Sequence, residues 1–119
     1  MYDRINNGEF NTSMKYPARP HRPILHREHS ATEAESYAVK LAEYETEFSA
    51  YNVALDEYNA TVQELTRAFE KAALEAVGLT GHKGAAAAFG FAWEHGHSGG
   101  FAEVYGWLVE VADLIDQVS

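Results

Sequence analysis

Cysteine is absent from the 119 residues, which excludes a disulfide framework, a thiolate metal site and a cysteine nucleophile. No run approaches the roughly 18 consecutive apolar residues of a membrane span, and the first residues carry no apolar signal core. These absences set the expectation of a cytoplasmic protein without membrane contact. Basic residues are scarce, nine Lys and Arg against eighteen Asp and Glu, leaving a net charge of −9. The deficit is uneven: residues 1–29 hold five basic groups and three acids, whereas residues 30–119 hold four and fifteen. An acidic body of this kind repels nucleic acid, so no direct nucleic-acid binding is expected. Apolar residues make up 46% and aromatics 13%, enough for one domain with a modest core.

Proline is also rare, and all three prolines lie in Tyr16-Pro17-Ala18-Arg19-Pro20-His21-Arg22-Pro23. A spacing of three is hostile to helix and sheet and suits polyproline II, whose turn aligns the rings on one edge. A plain extended linker is the other reading. Residues 1–15 lack periodicity and are expected to form a mobile or loosely docked terminus. Together, residues 1–29 are expected to be an extended N-terminal arm.

From Ser30 the pattern changes. Ser30-Ala31-Thr32-Glu33 is a capping box, with Ser30 as N-cap. Apolar side chains then recur at Tyr37, Leu41, Tyr44, Phe48, Tyr51, Leu55, Tyr58, Val62, Leu65 and Phe69, gaps of three and four alternating as a heptad. No proline or glycine interrupts before Gly78, a natural C′ residue. The spacing predicts one helix over about 31–77, roughly 70 Å at 1.5 Å per residue. A sustained heptad demands a partner. The expected partner is a second helix over about 83–118, reached by the short Gly78–His82 connection and carrying Phe89, Trp93, His97, Gly100, Val104, Trp107 and Val111. The expected fold is therefore all-α: a long antiparallel helical hairpin, coiled-coil-like, with an extended proline arm. Glycines at 96, 99 and 100 either allow close packing or break this second helix. The longer first helix leaves a tyrosine seam under-covered. The arm could fold back onto it, but the expected arrangement is that a second copy covers it, giving a homodimeric helical bundle with the arm contributing to its surface.

Catalytic constellations are missing. Glu94-His95-Gly96-His97 supplies at most two ligands on one helical face, where a zinc or iron site needs three or four, so no metal and no cofactor are expected. There is no nucleophile elbow and no phosphate loop. The carboxylates of Glu43, Glu45, Glu47, Asp56 and Glu57 sit on the solvent side of the heptad, as a solvated face or as the charge rows of a DNA mimic. No enzymatic activity is expected. The candidate partner-binding residues are Tyr16, Pro17, Arg19, Pro20 and Arg22 of the arm and Tyr37, Tyr44 and Tyr51 of the seam. The candidate helix-packing residues are Trp93, His97, Gly100, Val104 and Trp107, with His97 read as a packed, hydrogen-bonded core histidine.

Three segments resemble a group of small accessory proteins encoded by tailed bacteriophages. They are Tyr16-Pro17-x-x-Pro20, Ala42-Glu43-Tyr44-Glu45, and Ala92-Trp93-Glu94-His95-Gly96-His97-Ser98-Gly99-Gly100-Phe101-x-Glu103-Val104. The resemblance implies a setting, the host bacterial cytoplasm during infection, and transfers no catalytic or binding residue. In that setting the expected function is non-enzymatic: binding and modulating a host protein. The alternatives are an oligomeric sponge for a small nucleotide messenger, with aromatics stacking the base and Arg19 and Arg22 on phosphate, or a structural component of the phage.

Overall fold

The structure, a computed structural model, describes residues 1–118. Its elements are α1 (Tyr2–Asn6), α2 (Ala31–Ala76), α3 (Ala85–Gly96), a single 3₁₀ turn (His97–Gly99) and α4 (Phe101–Val118). Among the described residues no strand occurs, and no helix is long and apolar enough to cross a membrane. The long helix starts and stops where side-chain chemistry dictates. Ser30 Oγ accepts the Glu33 N–H at 3.2 Å, the forward half of the capping box. At the other end Leu79 N–H donates to the Leu74 carbonyl at 2.9 Å and Gly78 N–H to that of Glu75 at 3.2 Å. Gly78 sits at φ +75°, the left-handed conformation this Schellman stop requires.

The chain divides into two compact units, residues 1–12 with 62–118, and residues 13–61. The first unit holds the core. Phe69, Val104 and Leu108 are the largest fully buried side chains, joined by Phe10, Ala72, Ala73, Leu79, Ala88, Phe89 and Ala92. The hairpin expected from the sequence is formed by the end of α2 and α3, with the Phe69 and Phe89 rings 6.0 Å apart. Its second arm, however, is not one helix over 83–118. It breaks after Gly96 and folds back, so that α4 runs antiparallel to α3, Trp107 standing beside Phe91 and His95. Two glycines explain the corner. A Cβ on Gly96 would lie 2.7 Å from Val104 N and 2.8 Å from its Cα, so the two helix backbones touch there. Gly100 adopts φ 90°, ψ −179°, a conformation that side-chain-bearing residues avoid. The start of α4 covers Phe69 from another side, with Phe101 at 4.5 Å.

Of the two expectations for the first residues, mobile or loosely docked, the docked one applies, and the docking is firm. Tyr2–Asn6 is helical, Gly8 turns the chain at φ 77°, and Phe10 enters the core at 4% exposure. Phe10 packs edge-on to Phe69 at 5.4 Å, and Tyr2 edge-on to Tyr105 at 5.0 Å. Burying aromatic surface of this size outweighs the disorder that the neighbouring Asn and Gly residues favour. The extended arm is therefore residues 13–29.

The second unit consists of that arm and the α2 segment up to Thr61. Among the described residues this unit contains no second helix. The heptad's cover is the proline segment, whose half-buried prolines recur every three residues. Three residues in polyproline II geometry would advance about 9.3 Å, against about 10.5 Å for seven residues of α-helix. One proline turn thus keeps approximate step with one heptad. Burial follows this register. Pro17, Pro20 and Pro23 are half-buried, while Ala18, Arg19, His21 and Arg22 between them are exposed. Tyr37, Leu41, Tyr44, Phe48, Tyr51, Leu55 and Tyr58 are all half-buried, and no residue of this unit is fully buried.

Candidate partner-binding arm

A period of three gives the arm three edges. The proline edge is turned to α2. Tyr16, Arg19 and Leu25 of the neighbouring edge flank it, and Arg22 on that edge is exposed. The Tyr16 ring meets Tyr58 edge-on at 5.2 Å, and the Arg19 guanidinium lies over Phe48 at 5.9 Å, within cation–π range. The third edge, Ala18, His21, Ile24 and Arg27, is exposed throughout, and Ile24 shows 82% of its surface to solvent. Where the arm turns toward α2, Pro23, Leu25 and His26 with Glu33, Tyr37 and Lys40 line a recess of 310 Å³ beside Ile24.

The candidate residues Tyr16, Pro17, Arg19, Pro20, Tyr37, Tyr44 and Tyr51 are thereby brought together, but on each other. They build the seam that fixes the arm. Tyr51 records the closeness: partial burial raises its phenol above the ordinary 10.0, Tyr16 adds to the rise by proximity and a hydrogen bond, and Arg19 opposes it. Of the arm candidates Tyr16, Arg19 and Arg22 are exposed, Tyr16 and Arg19 with one side on the helix, and His21, Ile24 and Arg27, which the sequence reading did not single out, are exposed beside them. Counting threes from Pro17 would have found that edge.

The Trp-Glu-His-Gly-His block resolves into a structural corner. Trp93 is half-buried, stacked on Phe89 at 6.1 Å and on His97 at 5.7 Å with 14° between planes. His97 is exposed in the turn, so it is not a core histidine, although its Nδ1 is 2.7 Å from the Trp93 carbonyl. His95 is likewise tied, Nδ1 to the Phe91 carbonyl at 2.9 Å, between Phe91 and Trp107. Both rings are held by backbone four residues earlier, and they face different surroundings. Val104 is buried and Trp107 half-buried, as packing residues should be, whereas Gly100 serves the turn rather than a packed stripe. Glu103 folds over the turn, where a Cβ on Gly99 would strike its carboxylate. Among the described residues no group of three or more His, Asp or Glu side chains is placed to hold a metal ion.

These features define a class: a small helical protein in which a buried three-helix corner accompanies a proline arm zipped onto an aromatic helix face. The chain belongs to the family of unknown function DUF8546, whose model matches residues 1–118. No curated protein and no solved structure matches it.

Proposed function

We propose that this is a non-enzymatic binding protein that engages and modulates another protein through the outer edge of its arm. The observation that carries this reading is the disposition of the arm. Its prolines are half-buried toward the tyrosine seam, Tyr16 meets the seam edge-on while 61% exposed, and beyond them Ile24, 82% exposed, stands between the exposed Arg22 and Arg27. An isoleucine presented by a pre-ordered, basic segment suits an acidic partner surface with an apolar recess, because ordering entropy is already met before binding. The resemblance of the Tyr-Pro-x-x-Pro and Trp-Glu-His-Gly-His segments to tailed-phage accessory proteins supports a host bacterial protein as the partner.

The test is affinity capture from bacterial lysate with full-length protein and with a variant carrying Arg22→Glu, Ile24→Asp and Arg27→Glu. These side chains make none of the seam contacts, so circular dichroism should be unchanged. One host protein retained by the native chain and lost by the variant is the expected result. Equal capture by both, or capture by neither, would remove the arm edge as the binding site.

A further inference from the structure

Among the described residues, one face of the first unit leaves large apolar side chains exposed. Phe91 is 41% exposed and Leu114 61%, and they rim a groove of 480 Å³ whose other walls include Gly84, Ala87, Val111 and Ile115. Beside the groove, the exposed side of α3 carries Ala86, Ala87 and Gly90. This side is bounded by Lys83, just before the helix, and Glu94 in its last turn.

Two features of this face are unfavourable in an isolated chain. Glycine in a helix interior is disfavoured relative to alanine. Gly96 has its reason in the backbone of Val104 against it, but a Cβ on Gly90 would meet nothing within 4 Å. On this side of α3 the charges are also reversed with respect to the helix dipole, which favours anions at the N-terminus and cations at the C-terminus. His95, the basic residue of the last turn, lies instead against Phe91 and Trp107. Lys83 stands at the N-terminal end of α3 and Glu94 at the C-terminal end.

We propose that this face is an interface between two copies of the chain, with their α3 helices antiparallel about a two-fold axis between Ala88 and Phe89. In that register Lys83 of each copy faces the partner's Glu94, so each misplaced charge meets its opposite. Ala87 faces the partner's Gly90, which lets the backbones approach closely. Phe91 comes level with the partner's Ala86, beside the groove that Gly84 and Ala87 line. A second copy is the occupant because the charge pattern closes on itself: the two ends of α3 are complementary to each other under the two-fold and sit roughly 16 Å apart along the axis.

Sedimentation equilibrium on the full-length chain tests this. The expected mass is twice the 13.2 kDa of the chain. Lys83→Glu and Glu94→Lys should each weaken the dimer about tenfold by setting like charges at both ends, and the double variant should recover native affinity. Gly90→Leu, at an exposed position where an added Cβ meets nothing within 4 Å, should abolish the dimer while leaving helicity by circular dichroism unchanged. A chain that stays monomeric at millimolar concentration, leaving this face to a different partner, overturns the proposal. So does a dimer that any single variant leaves unchanged, or one that the double charge reversal fails to restore.

Discussion

Phe48 and Phe69 occupy the same heptad position of the same helix, three heptads apart, and live in different worlds. Phe69 is at 0% exposure, with Phe10, Phe89 and Phe101 around it. Phe48 is half-buried, with the tilted rings of Tyr44 and Tyr51 on either side along the helix and Arg19 above it. The first unit is a core in the ordinary sense, closed on all sides by helices and by the docked N-terminal turn. The second is a zipper one side chain deep, in which nothing is fully removed from water. A hydrophobic repeat therefore states that a helix face will be covered; it does not state by what, or how completely. Tyrosine is the signal of incomplete cover, because its hydroxyl stays hydrated while the ring packs. Tyrosines fill the d positions from Tyr37 to Tyr58 and give way to Leu65 as the core begins.

The largest test of this contrast is to truncate both phenylalanines. Phe69→Ala should cost about 3–5 kcal/mol, the range for emptying a closed aromatic site. That is a large share of the roughly 5–15 kcal/mol that holds a domain of this size, and the denaturant midpoint of the first unit should fall sharply. Phe48→Ala should cost about 1–1.5 kcal/mol, a partly exposed ring and one cation–π contact, and leave that midpoint nearly unmoved. Equal losses at the two positions would mean that the zipper and the core unfold as one.

A smaller effect isolates the arm itself. Pro20→Ala keeps an extended backbone accessible but frees the undocked arm to explore more conformations, which should weaken docking by about 0.4–1 kcal/mol. Nuclear Overhauser contacts between the Tyr16 and Tyr58 rings should weaken, with no change in those between Phe10 and Phe69. Undiminished Tyr16 contacts would show that ring packing rather than proline stiffness holds the arm.

The helix that carries both faces was legible in the sequence to within a residue, because Ser30, the unbroken heptad and Gly78 are local signals. What covers it was less so. The three-to-seven match between proline arm and heptad relates segments far apart in the chain, and each alone is also consistent with a linker or a coiled coil. The break at Gly96–Gly100 hid behind spacing that stays helical through Trp93, His97, Gly100, Val104 and Trp107. The turn happens to occupy about one helical turn's worth of residues, so periodicity passes through it undisturbed. Phe10 was obscured by Asn and Gly neighbours, whose turn-forming tendency is real and is used at Gly8. On the candidate site, the seam residues were legible as a group, but the edge they leave exposed was not, since Ile24 gains its meaning only once the prolines have chosen a side.

The smallest effect separates the units by pH. Tyr51 in the zipper has its phenol raised by burial and by Tyr16 against an ordinary 10.0, and Tyr105 in the first unit is raised by burial and by Tyr2. For a phenol the neutral form is the one the folded state favours. Each contribution is therefore fully present below the unfolded value of about 10 and is lost as pH rises through the higher folded value. In the second unit there is no core to hold the arm once Tyr51 carries charge beside Tyr16. Ultraviolet titration of the phenols, followed alongside Tyr16–Tyr58 contacts, should show the arm loosening above about pH 10 while Phe10 stays docked on Phe69. Tyr51→Phe should delay that loosening, because it removes the charge and keeps the ring. If instead the arm and Phe10 release together in the native chain, the zipper draws its stability from the core, and the independence argued from its lack of buried residues fails.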